Sequence, residues 1–338
     1  RMAGMARGLS CARRLGNVAW LARPAAGAHA QIGVRFYSGE SKGRVGFIGL
    51  GNMGFSMAAN LLKKGYTVVA CDVSAGAVDR LAEKGAIKAA TPKEAAADAD
   101  TVVSMVPASD HVRSVYLGDE GVLKSVKSGT VLIDASTIDP HVAIEVASAS
   151  ADAGAVMIDA PVSGGVTGAA AGTLTFMVGG SHEGLEKARP ALNAMGTKIV
   201  HCGQNGCGQV VKICNNLALA IEMIGISEAL NLGVKLGMDP KLMTEIFNSS
   251  TSRCWSCDSY NPVPGVMENV PSSKNYSGGF GVDLMTKDLS LAVNAAHKVK
   301  APLPLGSSSL QLYNLISSHG HGKKDFGFAY GFLNNMYK

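Results

Sequence analysis

Short apolar runs alternate with longer amphipathic stretches through the first two-thirds of the chain. Runs at 44–48, 66–70, 101–106, 130–134, 156–159, 174–178 and 199–201 are rich in Val and Ile and predict strands. Between several of them apolar positions recur three and four apart, so 55–64, 142–153 and 182–195 predict helices. Sustained strand-helix alternation predicts an α/β fold with a parallel, doubly wound sheet and binding loops at the strand C-termini. Val106-Pro107 and Ser136-Thr137 occupy such places, and His111 follows on the first of these loops.

The pattern changes after Gly208. Residues 209–236 contain no proline and carry apolar side chains on nearly every face, and helical periods recur at 240–248, 284–298 and 304–319. This second region reads as all-α. Glycines 203, 206 and 208 precede the long run, and Gly237 with Asp239-Pro240 ends it. As a helix it would extend about 42 Å at the usual rise per residue. It predicts a core helix leading from the sheet domain, 43–203, into a helical domain, 204–338.

Four side chains in the run are charged: Lys212, Glu222, Glu228 and Lys235. The pattern puts Lys212 in the first turn, where the helix dipole disfavours an ammonium, with Asn216 at i+4 on the same face. Two readings are open. The stem packs and the tip reaches water, or burial lowers the pKa and suits the group to acid/base work. Helix geometry alone favours the first.

Length and charge narrow the class. A chain of 338 residues suits two domains, and the formal charge of +5 hides an asymmetry. Residues 1–39 hold six arginines and no acid; setting them aside leaves 25 basic against 26 acidic residues. The body therefore gives no reason to expect a nucleic-acid partner. The leader, residues 1–40, reads as a mitochondrial transit peptide with cleavage after Tyr37 and delivery to the matrix. No uninterrupted apolar run reaches the length of a membrane span, because Glu222 interrupts the best candidate, so no membrane partner is expected. Seven scattered cysteines fit a reducing compartment, and Cys254-Trp-Ser-Cys257 lacks the second pair a zinc site needs. No metal site is expected.

Chemistry enters with Gly49-Leu50-Gly51-Asn52-Met53-Gly54. It follows one predicted strand, opens a helix, and precedes the second strand, 66–70, with Asp72 just beyond it, 18 residues past Gly54. In that context the glycines suit a tight turn, close approach to a pyrophosphate and helix-strand packing, which predicts a Rossmann-type dinucleotide site. Asp72 would bond the ribose hydroxyls and repel a 2′-phosphate, and 73–77 offers no cation to receive one; NAD is expected over NADP. Farther on, Ser163-Gly164-Gly165 follows a strand end and offers consecutive amides, either for a small carboxylate or as a plain turn. Lys287-Asp288, in an otherwise apolar helix, is by pattern a solvated pair. There is no P-loop, HExxH or Tyr-x-x-x-Lys signature.

Four segments together, FIGLGNMG at the start, DAPVSGG at 159–165, GQVVKICNN at 208–216 and MTKDL at 285–289, resemble the motifs of the β-hydroxyacid dehydrogenases. The resemblance spans 43–338 in order. Residues 252–258, 260–265 and 275–280 further resemble a mitochondrial branch that oxidises a short branched hydroxy acid, while Cys207, Cys257 and Gly327 depart from residues usual in relatives. The resemblance implies Lys212 as catalytic residue, Asn216 as a substrate-orienting group, and Ser163, Gly164 and Gly165 as the holders of the substrate carboxylate. It implies that Lys287 approaches the cofactor with Asp288 in support, and that Val106, Pro107, His111 and Thr137 line the nicotinamide side. It also implies a homodimer or homotetramer. Alternatives are a sister semialdehyde reductase or, more remotely, a dinucleotide-binding module without catalysis.

Overall fold

The computed structural model describes residues 41–335. The leader with its cleavage site, and the last three residues, lie outside the described residues.

The chain opens with β1 (Arg44–Ile48), α1 (Gly54–Lys63), β2 (Thr67–Cys71), α2 (Ala75–Ala82), β3 (Ile87–Lys88), α3 (Pro92–Ala96), β4 (Thr101–Ser104) and α4 (Ser109–Leu117). It continues through β5 (Val131–Asp134), α5 (Pro140–Asp152), β6 (Val156–Asp159), β7 (Val162–Ser163), α6 (Gly165–Ala171), β8 (Leu174–Gly179), α7 (His182–Met195) and β9 (Gly196–Gly203). Every strand expected from the pattern is present. The two it missed, β3 and β7, are two residues long, too short to show a period.

The sheet runs β3-β2-β1-β4-β5-β6-β8-β7, with β9 beside β8. Its first six strands pair in parallel in the order of a doubly wound dinucleotide fold, with the switch point between β1 and β4. The parallel pairing expected from the pattern ends at β6. β8 pairs antiparallel to β6 and β7, and β9 then follows β8 in parallel. The cause is the seven-residue α6, entered through Gly164 and Gly165 at φ 126° and 60°, which turns the chain back beside the strand it has just left. Two buried clusters cover the sheet, one around Phe47, Met57, Leu61 and Phe176, the other around Val102, Tyr116, Leu132 and Val146.

Beyond Gly203 come α8 (Cys207–Lys235), α9 (Pro240–Ser249), α10 (Trp255–Asp258), α11 (Val282–Val299), α12 (Pro304–Ile316) and α13 (Phe328–Leu333). Around Met223, Met285, Tyr313, Phe326 and Phe328 they build a separate apolar cluster. The segment between α10 and α11 is held by polar bonds. Asp325 accepts from the Tyr260 hydroxyl (2.8 Å) and from the backbone N–H of Phe280 and Gly327 (both 2.9 Å). Tyr260 also stacks on Trp255, ring centroids 4.6 Å apart.

α8 differs from its expectation in two ways. By length and mean hydropathy, 1.6 over its most apolar window, it could cross a membrane, contrary to the sequence reading. The reason is that its charges are few and spaced along 29 residues, so Glu222 does not break the apolar character of the whole helix. Nor is it a core helix all round. Only 33% of that window is buried, and Val210, Val211, Leu232 and Leu236 face outward. The buried stripe contains Gln209, Lys212, Asn216 and Ser227 among Met223, Ile226 and Leu230, and packs against β8, α11 and α13.

Candidate active site

The start of α8 is set by Asp159, the last residue of β6. Its carboxylate accepts from the N–H groups of Gly206 (2.7 Å) and Gln209 (3.1 Å), so a buried acid caps the helix. Close approach makes Gly208 necessary: a Cβ there would fall 2.3 Å from the Met177 carbonyl oxygen in β8. Because α8 begins at Cys207, Lys212 is in its second turn, and the dipole that acts on a first turn is weak there. Its lowered pKa has another cause.

That cause is burial. Lys212 is 8% exposed, and desolvation holds its ammonium below the ordinary 10.5, the positive charge of Lys287 adding to the effect and Asp288 opposing it. Its Nζ donates to Asn216 Oδ1 at 3.1 Å, and Asn216 Nδ2 donates to Asp288 Oδ2 at 2.5 Å. Lys287 Nζ is 2.9 Å from Asp288 Oδ1 and donates to the Thr137 carbonyl at 2.7 Å. The expectation of a solvated Lys287-Asp288 pair is therefore wrong. Asp288 is buried because α11 packs along α8, and the pair faces the sheet's loops.

Val106 and Thr137 sit at the C-terminal ends of β4 and β5, beside the switch point. Ser136 knits these loops together: its Oγ accepts from Val106 N–H at 2.9 Å, and its own N–H donates to Asp134 at 3.2 Å. Asp134 is buried with one oxygen unpartnered, and desolvation pushes its carboxyl up to about 6. Pro107 is exposed on the same loop. His111 departs from expectation. It is an exposed residue of the first turn of α4, not of the loop, with no hydrogen bond to this cluster among the described residues, because Ser109 already starts the helix.

At the other side of β1, Gly49 has φ 93° and a Cβ there would meet the Met105 carbonyl at 2.3 Å, so the turn lies directly against β4's end. Leu50 N–H donates to Asp72 Oδ2 at 2.6 Å and Ser74 N–H to Asp72 Oδ1 at 2.7 Å. A cleft of about 420 Å³ opens here, lined by Gly51, Asn52, Phe55, Asp72, Ser74 and Arg80 among others. Space for a cofactor's pyrophosphate exists at Gly51, where an added Cβ would meet nothing within 4 Å. Met53 and Gly54 lead into α1. Arg80 carries no local sequence signal for this site, because it lies a helical turn beyond 73–77; it stands 5.8 Å over the Phe55 ring.

Ser163, Gly164 and Gly165 form the turn into α6, half-buried at the serine and exposed at the glycines. No bond ties them to Lys212 among the described residues. They are linked through β6, whose Asp159 caps α8 and stands four residues before Ser163. Cys254 and Cys257 are free thiols, and burial pushes Cys257 up to about 11, so neither is poised as a nucleophile.

The chain matches two family models in succession: the NAD binding domain of 6-phosphogluconate dehydrogenase over 44–203, and the NAD-binding of NADP-dependent 3-hydroxyisobutyrate dehydrogenase over 206–333. The human mitochondrial 3-hydroxyisobutyrate dehydrogenase is 49% identical over 334 residues, 98% of this chain and 97% of that protein. The chain belongs to the β-hydroxyacid dehydrogenase family. A second relative in that family, the NAD-dependent L-serine dehydrogenase of Pseudomonas aeruginosa, is 50% identical over 283 residues, 84% of this chain and 95% of that one. Among solved structures, the Mycobacterium tuberculosis 3-hydroxyisobutyrate dehydrogenase with L-serine superposes with TM-score 0.82 at 40% identity, covering 86% of this chain and 99% of that chain. As a β-hydroxyacid dehydrogenase the protein is an NAD-dependent oxidoreductase acting on a small hydroxy acid, and it is mitochondrial.

Proposed function

We propose that the protein oxidises 3-hydroxyisobutyrate to methylmalonate semialdehyde in the mitochondrial matrix, a step of valine breakdown, with Lys212 as the acid/base group. The observation that carries the chemistry is the buried Lys212 with its pKa held down, hydrogen-bonded to Asn216 and linked through Asp288 and Lys287 to the Thr137 carbonyl. Relatives named for this substrate support the choice of hydroxy acid.

Bound NAD supplies the hydride acceptor, held by the turn at 49–54, by Asp72, and by Val106, Pro107 and Thr137 beside the nicotinamide. Ser163, Gly164 and Gly165 receive the substrate carboxylate on main-chain amides and a hydroxyl. On this reading the substrate's primary hydroxyl would lie at Lys212 Nζ. As the carbinol C–H bond gives up its hydride, the neutral amine takes the hydroxyl proton, leaving an aldehyde and a lysine ammonium. Asn216 fixes the direction of the Nζ group and Asp288 fixes Asn216. In the reverse direction the same ammonium returns the proton and stabilises the developing alkoxide. Lys287 buttresses the nicotinamide loop through the Thr137 carbonyl.

We also propose a division into domains near Gly203, where β9 ends, and a homodimer or homotetramer that covers the outward apolar residues of α8. L-Serine is the second reading, favoured by the relative named for it. It keeps the carboxylate and primary alcohol and replaces the C2 methyl by an ammonium. Initial rates of NADH formation with each acid decide the matter: kcat/KM highest for 3-hydroxyisobutyrate supports the proposal, and a preference for L-serine overturns the substrate.

A further inference from the structure

Gln209 is fully buried, three residues before Lys212, and no role in the reaction falls to it above. A buried glutamine has two bonding ends to satisfy, and in most cores it meets them with whatever lies near. Here both ends go to one loop. Nε2 donates to the Ser136 carbonyl at 2.8 Å, and Oε1 accepts from the Ile138 N–H at 3.0 Å. The two bonds flank Thr137, whose own carbonyl takes the Lys287 ammonium. The residue's main chain is held as firmly, its N–H donating to Asp159.

A two-point contact fixes rotation as well as distance. Through Ser136, whose Oγ receives Val106 N–H, the same amide steadies the loop after β4 as well as the loop after β5. The loops on the nicotinamide side and the helix that carries Lys212 thus meet at one side chain. Hydride transfer depends on the spacing between those two bodies, and a misplacement of about 1 Å costs on the order of a hundredfold in rate.

We propose that Gln209 is a positioning residue for the reaction, setting the separation and orientation between the cofactor-side loops at Val106 and Thr137 and the amine of Lys212. This rests on Lys212 as the acid/base group. A packing role alone would require only volume and satisfied bonds. The positioning role requires that the bonds be made to this loop, so a residue of equal bulk that cannot bond fails.

The test uses the full enzyme with Gln209→Leu, which keeps the bulk and loses both bonds, and Gln209→Glu, which keeps the acceptor for Ile138 N–H and loses the donor to Ser136. Rates are measured with the substrate carrying hydrogen or deuterium at the carbinol carbon, alongside Tm and the Kd for NAD. Positioning predicts that kcat falls roughly ten- to a hundredfold in Gln209→Leu. It also predicts that the deuterium effect on kcat rises, NAD Kd moves less than about threefold, and Gln209→Glu falls between Gln209→Leu and wild type. Should Gln209→Leu not fold, the same readouts on Gln209→Glu decide. A lowered Tm with kcat and the deuterium effect unchanged overturns the inference and leaves a packing role. Lys212→Ala runs beside them. Wild-type rates there overturn the acid/base reading itself, whereas a dead Lys212→Ala with a fully active Gln209→Leu overturns only the inference.

Discussion

The two ends of α8 are built from the same backbone and bury different kinds of residue, while both leave apolar side chains exposed, Val210 and Val211 at one end and Leu232 at the other. Its first ten residues bury Gln209, Lys212 and Asn216, and each of the three finds a hydrogen-bond partner in the sheet's loops, the helix itself or α11. Its last turns bury Leu230 and leave Leu232 61% exposed, and Leu236, just past the helix end, is 74% exposed. Polar groups inside and apolar groups outside both run against the ordinary partition, and each inversion points to a task. A buried lysine costs stability and carries an altered proton affinity, a combination that clusters at functional sites. Exposed leucines on a regular helix are where the proposed subunit contact would fall. On the proposed function one helix would join a chemical end to an associative end, and mutations should separate them.

Substitutions that attack the chemical end come first in size. Asn216→Ala removes both the acceptor of Lys212 and the donor to Asp288, and kcat should fall roughly ten- to a hundredfold with NAD affinity kept, read from steady-state rates and a binding titration. If the rate holds, the polar end is structural and the contrast between the two ends collapses. Asp159→Ala strips the cap of α8 and leaves two buried N–H groups without acceptors; unfolding free energy should drop by about 1–3 kcal/mol by denaturant titration. At the other end, Leu232→Ser should change the stability of a single chain by about 0.5 kcal/mol or less while weakening assembly, seen as a lower mass in light scattering. An unchanged mass would assign the leucine stripe no role in subunit contact.

Much of this was legible beforehand, for identifiable reasons. Strands flanked by glycine turns, and a helix of 29 residues, carry long enough patterns to be read singly. The glycine turn and Asp72 were legible because a phosphate site demands spacing along the chain. What escaped was set by contacts distant in sequence. The burial of Asp288 depends on packing of α11 against α8, 72 residues away from it at Asn216. The two bonds of Gln209 reach back 73 and 71 residues to a loop, and no local pattern records them. The antiparallel turn of β8 followed from α6 being short, and short helices have weak periods. The sequence puts His111 on a loop because 109–111, the first three residues of α4, hold no apolar repeat to mark the helix start.

The central claim is that burial makes Lys212 the proton acceptor. The direct measurement is the pH dependence of kcat for oxidation of 3-hydroxyisobutyrate by wild type and Lys212→Ala. In wild type the neutral amine is the active form, so the rate should rise with pH through a limb whose pKa lies below 10.5, and the reverse reduction should fall over the same range. In Lys212→Ala that limb should vanish and the rate drop by roughly 10²–10⁴. A mutant within threefold of wild type, with the same limb, would contradict the account and return Lys212 to the role of a packed side chain.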